Sequence, residues 1–95
     1  MKKFFVTLIL MLSVFSITNA YSEEMHKEYY DSGKILKESH FSNDKENGEE
    51  KIYYENGAIK EKRFYNNGKE EGKSLFYDEK GNIIKTEIYK NDVKQ

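Results

Sequence analysis

Tyr53-Tyr54-Glu55-Asn56-Gly57-Ala58-Ile59, closed by Tyr65, decides the fold, because the same phrase stands on either side of it. Upstream it reads Tyr29-Tyr30-Asp31-Ser32-Gly33, then Ile35-Leu36 and Phe41. Downstream it reads Phe76-Tyr77-Asp78-Glu79-Lys80-Gly81, then Ile83-Ile84 and Tyr89. The closing aromatics Phe41, Tyr65 and Tyr89 stand 24 residues apart. A fixed period of this length marks a repeat architecture, in which each unit hides its apolar side chains only against its neighbours. Such an architecture points to binding rather than catalysis.

The punctuation between the phrases specifies β-structure. Gly33, Gly48, Gly57, Gly68, Gly72 and Gly81 sit only at turn positions, and the chain has no Pro. Asn47-Gly48, Asn56-Gly57 and Asn67-Gly68 are pairs suited to the positive φ of tight hairpin turns. The intervening runs, rich in Tyr, Phe and Ile, do not fit helical spacing. They predict six strands near 25–30, 34–42, 49–54, 58–66, 73–77 and 82–90, two per repeat, in one antiparallel meander. Strand alternation would then place Tyr29, Ile35 and Phe41 on one face, with Tyr53, Ile59 and Tyr65 and then Phe76, Ile83 and Tyr89 as their equivalents. The opposite face would carry Tyr30, Leu36 and His40, then Tyr54, Lys60 and Phe64, then Tyr77, Ile84 and Ile88. No second layer is available, so the expected stability comes from cross-strand aromatic pairs and from Lys and Glu stems lying over the sheet.

Residues 1–20 read differently. Lys2-Lys3, the apolar run Phe4 to Ile17 and the small residues of Thr18-Asn19-Ala20 have the order of a secretory signal peptide cleaved after Ala20. The run is shorter than the stretch of about 20 apolar residues that crosses a bilayer. The expected domain is therefore 21–95, with repeats near 27–50, 51–74 and 75–95, exported to the periplasm or the medium and without a stable membrane span. It keeps 14 Lys and Arg against 17 acids, interleaved along the chain, so no basic run invites nucleic acid or anionic lipid. There is no Cys, so the domain relies on strand pairing and packing instead of the disulfides common in small exported proteins.

The run Phe64-Tyr65-Asn66-Asn67-Gly68-Lys69-Glu70-Glu71-Gly72-Lys73-Ser74-Leu75-Phe76-Tyr77 resembles the MORN repeat, and more closely its bacterial variant. Tyr54-Glu55-Asn56-Gly57-Ala58-Ile59-Lys60-Glu61 is similar to the other half of that unit, and the resemblance extends from Lys27 to about Val93. Asp44 and Asp92 stand where the second unit has Gly68, departures that suit terminal capping units. The resemblance implies β-hairpin repeats used for protein or surface contact, with no catalytic residues. Bacterial proteins of this variant are often labelled antitoxin components, which would make a toxin the partner.

Catalytic and metal chemistry find no constellation. His26 and His40 are the only histidines; His40 shares the register of Phe64 and Ile88 and reads as a strand-filling side chain. Asn43-Asp44-Lys45-Glu46-Asn47-Gly48 imitates a calcium loop, but Lys45 and Tyr54 fall where ligands are required. Glu49-Glu50 and Glu70-Glu71 read as solvated turn charges rather than an acid–base pair. Neither a cofactor nor nucleic acid is expected, since ordered tyrosines without a positive groove do not make a base-stacking surface.

The reading that follows is an exported, non-enzymatic repeat protein that contacts another protein. Its alternatives are an antitoxin-like or immunity protein and, less favoured, an envelope glycan binder. Tyr53, Ile59, Tyr65, Ile84, Ile88 and Tyr89 form the candidate partner surface. Strand 82–90 is an open edge at which a partner strand or a second copy would add.

Overall fold

Among the described residues every regular element is a strand. The computed structural model of the chain describes residues 4–8 and 23–95. The six expected long strands are β2 (Glu23–Tyr29), β3 (Ile35–Ser42), β5 (Gly48–Tyr53), β6 (Ile59–Asn66), β8 (Gly72–Tyr77) and β9 (Ile83–Lys90). Two-residue segments β4 (Lys45–Glu46), β7 (Lys69–Glu70) and β10 (Val93–Lys94) complete the later hairpin of each unit. All pair antiparallel in one sheet, ordered β2-β3-β5-β6-β8-β9-β10, with β4 on β3 and β7 on β6. The cleavage position expected after Ala20 lies outside the described residues. The sequence reading also leaves 4–8 out of the sheet, whereas Phe4–Leu8 forms β1 and pairs antiparallel with β2. An apolar segment that supplies partners for an edge strand's free N–H and C=O groups accounts for that difference.

Two turn designs alternate. At the first, Gly57 N–H donates to the Tyr54 carbonyl at 3.0 Å and Tyr54 N–H to that of Ala58 at 2.8 Å, a three-residue loop with glycine in the left-handed region at φ 90°. Gly33 and Gly81 repeat it, and the other three glycines also have positive φ. At the second, both central residues are left-handed: Asn43-Asp44, Asn67-Gly68 and Asn91-Asp92. Asn and Asp tolerate this region, so the aspartates of the outer units preserve the turn that Gly68 makes in the middle. Asp92 adds a bond, its Oδ1 accepting from Glu70 N–H at 2.6 Å.

Each first hairpin contains a bulge. Glu28 faces Lys37 while Tyr29 faces Ile35, leaving Leu36 as an extra residue; Lys60 and Ile84 are extra at the matching places. The pairs across these hairpins are Tyr29–Ile35, Tyr53–Ile59 and Tyr77–Ile83. The third unit's equivalent of Tyr53 is therefore Tyr77 and not Phe76, as the 24-residue period requires. An inserted residue also reverses the alternation. Tyr53 and Ile59 consequently share one face, and Tyr65 lies on the other with Ile52 and Glu61.

Apolar side chains such as Ile52, Tyr65, Leu75 and Phe76 are mostly half-buried rather than enclosed. Leu36 is the one buried hydrophobic residue among those described, whereas Ser39, Glu50, Glu70 and Ser74 are buried polar side chains. Successive units are instead stitched in the plane of the sheet. Tyr30 hydroxyl donates to the Tyr53 carbonyl at 2.6 Å, and Tyr54 hydroxyl to the Tyr77 carbonyl at 2.7 Å. Gly68 N–H reaches the Glu46 carbonyl at 2.7 Å and Asp92 N–H that of Glu70 at 3.0 Å. The third unit has Asp78 where the first two have Tyr30 and Tyr54. Its Oδ1 accepts from the N–H groups of Lys80 and Asn82, both at 2.9 Å. The side chain that would have reached onward closes its own turn.

Candidate functional site

The ladders sort the side chains into two chemically different faces. On one lie Lys37, Ser39 and Phe41 of β3, Glu50 and Ile52 of β5, Glu61, Arg63 and Tyr65 of β6, Ser74 and Phe76 of β8, and Lys85, Glu87 and Tyr89 of β9. On the other lie Glu49, Lys51 and Tyr53, then Lys62 and Phe64, then Lys73, Leu75 and Tyr77, then Thr86 and Ile88. We call them the carboxylate face and the lysine face.

The carboxylate face is a bonded network. Glu70 Oε1 accepts from Arg63 Nη1 at 2.8 Å and from Ser74 Oγ at 2.6 Å, and Ser74 is fully buried. Arg63 Nε reaches Glu61 Oε2 at 3.2 Å, and its guanidinium stands 5.1 Å from the centre of the Phe76 ring. Lys85 Nζ lies 4.3 Å from the same ring and 3.0 Å from Glu87 Oε1. Hydrogen bonds from Tyr89, then Lys85 and Lys94, hold the Glu87 carboxyl down at about 2. Burial, followed by the charges of Glu50, Glu46 and Glu70, pushes the Tyr65 phenol well above its ordinary value.

One pair in this network carries too little positive charge. Glu50 has Lys37 Nζ at 3.7 Å, and Glu46 abuts it with Oε1 buried and without a conventional partner. A carboxyl buried near another carboxylate resists losing its proton, and in its protonated form it can donate as well as accept. Burial, the hydrogen bond to Glu50 and its charge raise Glu46 from 4.5 to about 8. The sequence reading of Glu50 and Glu70 as solvated turn charges is thereby corrected: they are 5% and 8% exposed. Only Glu49, paired to Lys51 at 3.2 Å, and Glu71, whose Oε2 accepts from Asn91 N–H at 2.8 Å, remain at the periphery.

The lysine face is organised by apolar side chains and cations. Lys51 stands directly opposite Lys62, Lys62 opposite Leu75, Lys73 opposite Ile88, and Glu49 opposite Phe64. Phe64, Ile83 and Ile88 are exposed. Tyr77, the cross-strand neighbour of Ile83, helps to line a shallow depression of about 360 Å³ with Ile59, Lys62, Lys80, Glu79 and the turn residues Ala58 and Gly81. Tyr53 hydroxyl donates to Glu38 Oε1 at 2.6 Å, and burial together with that bond raises the phenol to about 12.

The six residues read from sequence as one partner surface do not form one. Tyr53, Ile59 and Ile88 are on the lysine face, Tyr65 and Tyr89 on the carboxylate face, and Ile84 is an exposed bulge residue. Sequence reasoning missed Phe64, Lys62, Lys73 and Leu75, although the alternation of cations and carboxylates with period two was the signal. The histidines are also separated: His26 lies 4.2 Å from the Phe41 ring on the carboxylate face, and His40 Nδ1 lies 3.6 Å from Glu23 on the other. Among the described residues no group of three His, Asp or Glu side chains is arranged to hold a metal ion.

Comparison with known proteins agrees with this architecture. Neither the curated proteins nor the solved structures gave a match. A family model described as MORN repeat variant matches residues 26–43, 46–69 and 70–91. These segments take in both hairpins, the glycine turns and most of the stitched units, and the chain belongs to the MORN repeat variant family.

Proposed function

We propose that this chain is an exported, non-enzymatic repeat protein that holds another protein against its lysine face. The observation carrying the reading is the contrast between faces. Polar groups on one are bonded to each other, while the other leaves Phe64 and Ile88 exposed beside cations. Export rests on the Lys2-Lys3, Phe4–Ile17 and Thr18-Asn19-Ala20 order. A cognate-toxin inhibitor is the narrower form of the same reading, since its target would also be a protein. Glycan binding has less support, because the hydroxyls of Tyr30, Tyr53, Tyr54 and Tyr89 are already engaged within the sheet.

A photo-crosslinking amino acid at Phe64 in cells, combined with intact-mass analysis of the exported chain, tests this. We expect a chain beginning at Tyr21 and a discrete protein adduct from the envelope fraction. A chain that keeps Met1 in the cytoplasm, or a crosslinker that yields no protein adduct, would overturn the proposal.

A further inference from the structure

We infer that the lysine face of the second and third units is a docking site for an acidic protein segment bearing aliphatic or aromatic side chains. This rests on the proposed protein-contact role and names the partner's chemistry.

The face is cationic although the chain is not. Across β5, β6 and β8 it gathers Lys51, Lys62 and Lys73 with Glu49 as the one acid, whereas Glu50 and Glu61 point the other way. Glu49 is spent on Lys51, and Glu38, which faces Lys51 from β3, accepts from the Tyr53 hydroxyl. Among the described residues neither Lys62 nor Lys73 has a carboxylate within ion-pair distance. Lys51 and Lys62 are moreover direct cross-strand neighbours, an arrangement that costs a sheet stability. No carboxylate of the fold neutralises Lys62 or Lys73, so their charge is available to an external acceptor.

Apolar groups stand next to the cations. The depression sets Ile59 and Tyr77 beside Lys62 and Lys80, while Phe64 lies exposed further along β6 and Ile88 lies exposed opposite Lys73. One side chain of a partner would fill the depression, and flanking Asp or Glu would meet Lys62, Lys73 and Lys80. Burial supplies affinity in such a contact, and charge sets which segment fits.

An anionic lipid surface would share the attraction for lysine but fits less well. Polybasic recruitment uses about four to eight cations. Here few are clustered, Glu79 lines the depression, and the whole chain carries a net charge of −1. A narrow segment meets the lysines and avoids the acids around them.

The test is selection of a random peptide display library on the full chain, followed by titration of an enriched peptide. The comparison proteins are Lys62→Glu/Lys73→Glu and, as a control, Lys34→Glu in an exposed turn. The enriched peptides should combine Asp or Glu with bulky apolar residues. Their dissociation constant should rise by roughly tenfold or more in the double variant and with added salt, but not in the control. Thermal melts should show both variants folded.

Neutral or basic peptides, or acidic ones that bind the double variant equally well, would overturn the inference, as would no enrichment at all. Binding of phosphatidylserine vesicles that depends on Lys62 while no peptide binds would make lipid the occupant and overturn it too. A crosslinked adduct at Phe64 that survives in the double variant would leave the protein-contact role standing and defeat only this inference. Loss of every adduct in the unaltered chain would defeat both.

Discussion

Replacing Glu46 by Gln should make the protein more stable in mild alkali and remove most of its pH dependence between about pH 5 and pH 8.5. The folded chain keeps on Glu46 a proton that the unfolded chain releases near 4.5, because the folded carboxyl titrates at about 8. Across that interval the native state binds the extra proton, so stability falls as pH rises. Linkage over the full interval, at about 1.4 kcal/mol per pH unit, would approach 5 kcal/mol. Glu46 is only partly buried, and solvent screening reduces this to about 2 kcal/mol. For a domain of this size that is of the order of 10 °C in melting temperature. Gln offers Glu50 an N–H donor at every pH, so the variant should melt at nearly constant temperature over the range. Glu87 is held down at about 2, so its contribution is lost only in strong acid and does not interfere. Circular dichroism melts of both proteins in half-unit steps of pH would measure the difference. Parallel curves would mean that Glu46 does not keep its proton in the folded chain.

Three further substitutions probe the turns, the network and the stitches. Gly57→Val should cost about 1–3 kcal/mol and Glu55→Ala in the same turn much less, since Gly57 has φ 90° and valine tolerates that region badly; equal denaturation midpoints would contradict the turn geometry. Ser74→Ala removes the hydroxyl that donates to Glu70 Oε1 from a fully buried position and should cost about 1–2 kcal/mol, read by urea titration. Tyr54→Phe removes the bond to the Tyr77 carbonyl and should lower stability by about 1 kcal/mol, whereas Tyr77→Phe removes no comparable stitch and should change it less.

What the sequence discloses depends on whether a residue's role is set locally. Gly57 and Asn67-Gly68 declare their turns because few residues accept positive φ, and the 24-residue period then places the strands. The bulges at Leu36, Lys60 and Ile84 carry no such mark: a leucine, a lysine and an isoleucine fit a regular strand equally well. Missing them shifts parity, which is why Tyr53 and Tyr65 share a face in the sequence reading and lie on opposite faces in the sheet. Glu50 and Glu70 are misread for another reason. A glutamate is ordinarily solvated, and their burial depends on Lys37, Arg63 and Ser74, which come from other strands.

Interleaved charge has opposite meanings in a loop and in a strand, and this chain turns on that difference. Glu50-Lys51 and Glu61-Lys62 look neutral along the backbone, but the strand's two-residue period sends each glutamate to one face and each lysine to the other. The segregated carboxylates are then brought together by repeat stacking, where Arg63, Lys37 and Ser74 supply their partners and Glu46 holds its proton more tightly than usual. That network, with the Tyr30 and Tyr54 stitches, holds a sheet that has one buried aliphatic side chain among its described residues. The longest run of bonded side chains therefore lies in the sheet plane and on the carboxylate face. Lys62 and Lys73 take no part in that network, so changes there should alter what the protein holds with little effect on whether it folds.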